Sequence, residues 1–106
     1  MKAIENIKDY EVTIDQEKPI LLDFYADWCG PCQVLLPIVE KIAEKYGEDL
    51  VVRKVNVDQN PALAQQFNVR SIPALFVIKD KEIQQRLVGL QSEHTLDKIV
   101  QEQLAA

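Results

Sequence analysis

The chain has 106 residues, enough for one domain with one core and too few for two ordinary ones, so one domain over residues 1–106 is expected. Hydrophobic residues make up 47% and charged residues 27%, and no apolar run approaches the roughly 18 residues a membrane span needs. The net charge is -5 with lysine and arginine scattered, which leaves no basic footprint for nucleic acid; neither a nucleic-acid nor a membrane partner is expected, and a monomer is the expected state.

The N-terminus, MKAIENIKDYE, lacks the apolar segment and small-residue cleavage site of a secretory signal, so the cytoplasm is the expected location. Ala3 to Asn6 reads as an edge strand, and Ile7, Tyr10 and Ile14 as one side of a short helix. Ile20 to Ala26 is a nearly unbroken apolar run, the pattern of a strand buried on both faces. WCGPC follows at once, at 28–32. Val34, Leu35, Ile38, Val39, Ile42, Ala43 and Tyr46 then fall on one helical stripe. Pro37 should kink that helix and Gly47 should end it. A second strand reads from Leu50 to Val57. Asn60-Pro61 looks like an N-cap with proline at the first helical position, opening a short helix through Phe67. Ala74–Ile78 and Glu82–Val88 are strands separated by Lys79-Asp80-Lys81, a hairpin length, so they should be antiparallel. Ile83, Gln85 and Leu87 should share a face. Ser92 caps a last helix that buries Leu96, Ile99, Val100 and Leu104. The order βαβαβαββα implies an α/β fold with a mixed sheet and helices on both faces.

Cys29 and Cys32 are the only cysteines. Such a pair can ligate a metal, close a permanent staple or cycle between dithiol and disulfide. A structural metal usually takes four ligands, and His94 in the last helix is the only histidine, so no metal is expected. Haem attachment needs histidine after the second cysteine, where Gln33 stands. A staple would close a very small loop and remove little unfolded-state entropy, in a reducing compartment. Redox cycling fits best. A helix N-terminus offers unpaired N–H groups and the positive dipole end, both of which favour thiolate, the reacting species in exchange. Cys29, ahead of the helix body, should be the more exposed, attacking thiol. Cys32, in the first turn, should be the shielded, resolving one. Gly30-Pro31 keeps the turn compact and leaves a backbone N–H to aim at sulfur.

FYADWCGPC, with Asp23 before it, resembles the active-site segment of the thioredoxin family. VNVDQNP at 55–61, SIPA at 71–74 and LVGL at 87–90 are similar to later landmarks of that family, in order, so the resemblance spans essentially the whole chain. It implies the thioredoxin fold, a parallel sheet core plus an antiparallel hairpin with helices on both faces. It also implies a general protein-disulfide reductase, an electron-carrying thiol-disulfide oxidoreductase. By the same resemblance Asp23 is a buried carboxylate that assists deprotonation of Cys32 through water, with Lys54 as its charge neighbour. Trp28 shields the dithiol and meets substrate. Ile72-Pro73 is a cis-proline loop whose backbone pairs with an extended client, as in strand addition. Gly89 belongs to an apolar rim around that surface, although a plain turn glycine reads equally well. The chain has no nucleotide-binding glycine motif. No bound cofactor is therefore expected, and a separate reductase must recharge the pair. In the family that partner is an NADPH flavoprotein or a ferredoxin-linked enzyme, and the clients are disulfide-containing proteins. A disulfide oxidase or isomerase is one alternative, and a non-catalytic binding module with the same fold is another. Gln33 where lysine is common, Ala74 where threonine is frequent, Tyr25 where tryptophan is frequent, and a hairpin turn without glycine depart from the family pattern but remove no catalytic group.

Overall fold

The computed structural model describes residues 1–106. Its elements are β1 (Lys2–Ala3), α1 (Ile7–Ile14), β2 (Ile20–Tyr25), α2 (Gly30–Tyr46), β3 (Val51–Asn56), α3 (Pro61–Gln66), β4 (Ala74–Lys79), β5 (Glu82–Val88) and α4 (Glu93–Ala105). The sheet runs β1-β3-β2-β4-β5. β1, β3 and β2 are parallel, β4 is antiparallel to β2, and β5 is antiparallel to β4. The element order and the mixed sheet are those expected from the sequence.

All six residues of β2 are buried, as an unbroken apolar run in a central strand requires. Its side chains alternate between two cores. Ile20, Leu22 and Phe24 meet Tyr10 of α1, Leu63 of α3 and Phe67 on one face. Leu21 meets Leu35, Val39 and Ile42 of α2 and Leu96, Ile99 and Val100 of α4 on the other. Parity therefore turns Asp23 and Tyr25 toward the α2 face.

Several local expectations are corrected. β1 is two residues long; Ile4 has left the strand for the core, and Asn6 caps α1 by accepting the Asp9 N–H. Asn60 precedes Pro61 as expected but does not cap α3 with its side chain. Its amide instead donates to the Ile4 and Asn56 carbonyls, tying the helix entrance to the segment after β1 and to the end of β3. Val34 and Leu104 are 54% and 39% exposed rather than buried, because the stripes that meet the sheet are narrower than the full run of apolar positions. A register shift at Val77/Ile78 pairs Ile83 with Ile78 but Gln85 with Val77. Ile83 thus points to the opposite face from Gln85 and Leu87. Gly47 closes α2 at φ +52, its N–H reaching the Ala43 carbonyl. Pro37 lies inside α2, which continues through it to Tyr46. No helix is long and apolar enough to cross a membrane.

Candidate active site

β2 delivers the chain to the end of the sheet where the parallel strands finish, and α2 begins at Gly30, shortly beyond it. Cys29 is the N-cap of α2, with extended backbone, and its Sγ accepts the Cys32 N–H at 3.2 Å. A sulfur thus takes the capping role that an Asp or Ser oxygen fills in most helices. Pro31 sits in the first turn, where its missing N–H costs nothing. Gly30 and Pro31 are both exposed, and nothing lies within 4 Å of where a Gly30 Cβ would stand, so the cover over the pair is thin. The two cysteines form a disulfide with Cα atoms 5.3 Å apart. Cys29 is 5% exposed and Cys32 0%, the expected rank but with Cys29 more enclosed than its position suggested. Tyr25, Ala26 and the two cysteines form one cluster, against which Leu36, Val57 and Ile72 pack.

The Ile72-Pro73 bond is cis. The Ile72 carbonyl oxygen lies 3.9 Å from Cys29 Sγ, so residues 43 positions apart meet as expected. Gly89, at φ +91, donates its N–H to the Pro73 carbonyl at 2.8 Å. It therefore ties the end of β5 to the loop, and the positive φ is the reason for glycine there.

Asp23 is 0% exposed, and neither carboxylate oxygen has a hydrogen-bond partner. Burial pushes its pKa up to about 7, opposed in part by the positive charge of Lys54. Lys54 is its direct neighbour across the β2–β3 register. The ammonium forms no ion pair with Asp23 and instead lies 5.6 Å from the Tyr25 ring centroid. The lysine tempers the carboxylate's field without neutralising it. Asp23 lies beneath the face that α2 covers, and Cys32 is in the first turn of α2.

Trp28 is 72% exposed, so it flanks the dithiol more than it roofs it. Its indole N–H donates to Asp58 Oδ2 at 2.8 Å. Asp58, which the sequence alone did not single out, is thus the partner that fixes the Trp28 ring. The usable signal was the need of a tryptophan N–H for an acceptor. Asp58 is itself fixed by Asn56, whose buried Oδ1 accepts the Asp58 and Gln59 N–H groups. Beside Trp28 a shallow depression of about 200 Å³ is lined by Val57, Ala64, Val69, Arg70 and Ile72. A larger depression, about 440 Å³, lies elsewhere, among Lys2, Asp9 and Arg53. The smaller one is the depression that adjoins Trp28 and Ile72 beside the cysteine pair. His94 is exposed on α4, remote in sequence from the pair.

The thioredoxin family model matches residues 2–102. A thioredoxin from Chlorobaculum thiosulfatiphilum is 37% identical over 98 residues, covering 92% of this chain and 91% of its own. Thioredoxin 1 of Synechococcus elongatus is 40% identical over 94 residues, covering 89% and 88%. The solved structure of Fasciola hepatica thioredoxin superposes with a TM-score of 0.90 at 31% identity, over 97% of this chain and 99% of that one.

Proposed function

The chain belongs to the thioredoxin family, and on that premise we propose how Cys29, Cys32 and Asp23 divide the work of a protein-disulfide reductase. The activity itself is dithiol–disulfide exchange on protein substrates. Cys29 thiolate attacks one sulfur of a client disulfide. A Cys29–client disulfide forms, the client S–S bond breaks, and the leaving client thiolate takes a proton. Cys32 then gives up its proton and attacks Cys29 Sγ. The internal disulfide forms, the mixed disulfide breaks, and the client leaves with its second thiol; two electrons have passed to it.

The observation that carries this assignment is the Cys32 N–H donated to Cys29 Sγ at the start of α2. That hydrogen bond and the helix dipole favour negative charge on Cys29, which serves both its attack and its departure as leaving group. Asp23, unpartnered and raised to about 7, suits a base that takes the Cys32 proton near neutral pH. A bridging water, as the family resemblance implies, would carry the proton between them. Lys54 holds its pKa from rising further. The Ile72 backbone, Trp28 and the Gly89 turn frame the extended client segment, with Gly30 and Pro31 kept low so that client sulfur can reach Cys29. One domain, working as a monomer, suffices for this chemistry. Recharging falls to a separate reductase, an NADPH flavoprotein or a ferredoxin-linked enzyme, and a reducing cytoplasm is the compartment where the dithiol persists.

Reduction of insulin by dithiothreitol tests the reading. Catalytic amounts of the protein should accelerate precipitation of the insulin B chain, and Cys29→Ser should not. A wild type without effect would leave only a binding module.

A further inference from the structure

Beside the segment that leads into the Ile72-Pro73 loop lies a second depression of about 140 Å³, lined by Asn68, Val69, Arg70, Ser71, Ala74, Phe76, Arg86 and Val88. It holds two of the chain's three arginines and no acidic residue. In a chain of net charge -5 that is an unexpected concentration of positive charge. All three ion pairs of the molecule are made by lysines, Lys41, Lys45 and Lys81. Neither arginine here has a carboxylate partner.

Both guanidinium groups are nevertheless held. Arg86 donates an Nη2 N–H to the Phe67 carbonyl at the C-terminus of α3, and its guanidinium carbon lies 4.8 Å from the Phe76 ring centroid. Arg70 Nε donates to Asn68 Oδ1 at 3.2 Å. A plain structural role, closing the α3 terminus and stacking on Phe76, uses one of the five donors of Arg86 and favours its charge without neutralising it. Both anchors are neutral acceptors. Both arginines are exposed, and their remaining N–H groups have no carboxylate partner, so they are available to an oxyanion in charge-assisted hydrogen bonds.

The location says which anion. Ser71 lines the depression and is the residue before Ile72, whose carbonyl faces Cys29. Val88 lines it too and precedes Gly89, which binds the Pro73 carbonyl. Arg70 and Val69 border both this depression and the one beside Trp28, so the 69–71 segment is the ridge between them. An extended segment advances about 3.3 Å per residue, so a client strand that pairs with Ile72 carries residues two or three from its cysteine over this ridge.

We propose that Arg70 and Arg86 form an anion subsite that accepts an acidic side chain of the client, a few residues from the disulfide being reduced. The proposal rests on the reading that the Ile72 loop receives the client. It makes this protein selective among disulfides for those with a flanking Asp or Glu, a preference that the dithiol itself cannot supply.

Synthetic peptide disulfides differing only in Glu, Gln or Lys, two or three residues to either side of cysteine, test this through kcat/KM at low and high salt. Wild type should prefer the best-placed Glu peptide over its Gln counterpart by about fivefold at low salt, with the preference shrinking as salt screens it. In Arg86→Gln the ratio should fall to near one, in Arg70→Gln it should fall part of the way, and Arg86→Lys should retain part of it. Because the readout is a ratio within one variant, it does not depend on how much of that variant is folded. A ratio near one in wild type at every position, with the Gln peptides still reduced, overturns the subsite alone. A ratio that survives both Arg70→Gln and Arg86→Gln also overturns it. Failure to reduce any peptide overturns the client-surface reading and the subsite with it.

Discussion

Asp23 is a carboxylate in a strand with no exposed residue, and its two oxygens have no partner. Unfolded, it titrates in the ordinary range near 3.8; folded, at about 7. Between those values the native state holds the extra proton, so stability falls as pH rises through that window and levels off above about 7. Asp23→Asn should therefore be more stable than wild type in urea at pH 8, by at most about 4 kcal/mol, with the gain fading toward zero near pH 4. A gain that is the same at both pH values would mean that ionisation is not the cause. Lys54 lowers the pKa of Asp23, so Lys54→Met should move the Asp23 titration upward. The rise of turnover with pH should move the same way, since the ionised carboxylate is the proposed base. An unmoved profile would separate Lys54 from the site. Asp23 was legible in the sequence because a charge interrupts the most apolar run of the chain. Asp58 was not, because its bond to Trp28 spans 30 positions and the DQN segment reads as an ordinary turn.

The hairpin between β4 and β5 turns through Asp80 and Lys81, both at positive φ, +55 and +66. Two central residues in that region define the tight turn that Asn-Gly or Asp-Gly ordinarily supplies. Lys81 carries a Cβ where glycine is unstrained. Lys81→Gly should raise stability by about 0.5 kcal/mol in urea, after allowing for glycine's greater unfolded-state freedom and the loss of the exposed pair with Asp15. Ser92 Oγ accepts the Thr95 N–H at 3.1 Å. Ser92→Ala should cost about 1 kcal/mol, seen as a lower urea midpoint at unchanged slope. Elements of this kind were legible where a local signal fixes them, as with Ser92 at the start of α4, Pro61 at the start of α3 and Gly47 at the end of α2. The shift at Val77/Ile78 was not, because register belongs to two strands together and neither strand's own pattern contains it. The exposure of Val34 and Leu104 likewise depends on how much of each helix face the sheet covers.

At the scale of the molecule, β2 separates two cores and ends just before the dithiol, with β3 bringing Lys54 beside Asp23 and the loop before β4 bringing Ile72 to Cys29. Composition and periodicity gave the α/β class and the strand–motif–helix junction. The cis-proline loop and the meeting of Ile72 with Cys29 were legible only through resemblance to the thioredoxin family, since contacts 43 positions apart leave no trace in local pattern. The central claim is the division of labour between the cysteines, the attacking Cys29 capping α2 and the resolving Cys32 buried behind it. Its most direct test is reaction of Cys32→Ser and Cys29→Ser with a disulfide client, followed by peptide mapping in a mass spectrometer. Cys32→Ser should accumulate a mixed disulfide on Cys29, and Cys29→Ser should remain largely unmodified because Cys32 is wholly enclosed. An adduct that forms readily on Cys32 in Cys29→Ser, with none on Cys29 in Cys32→Ser, would contradict the assignment.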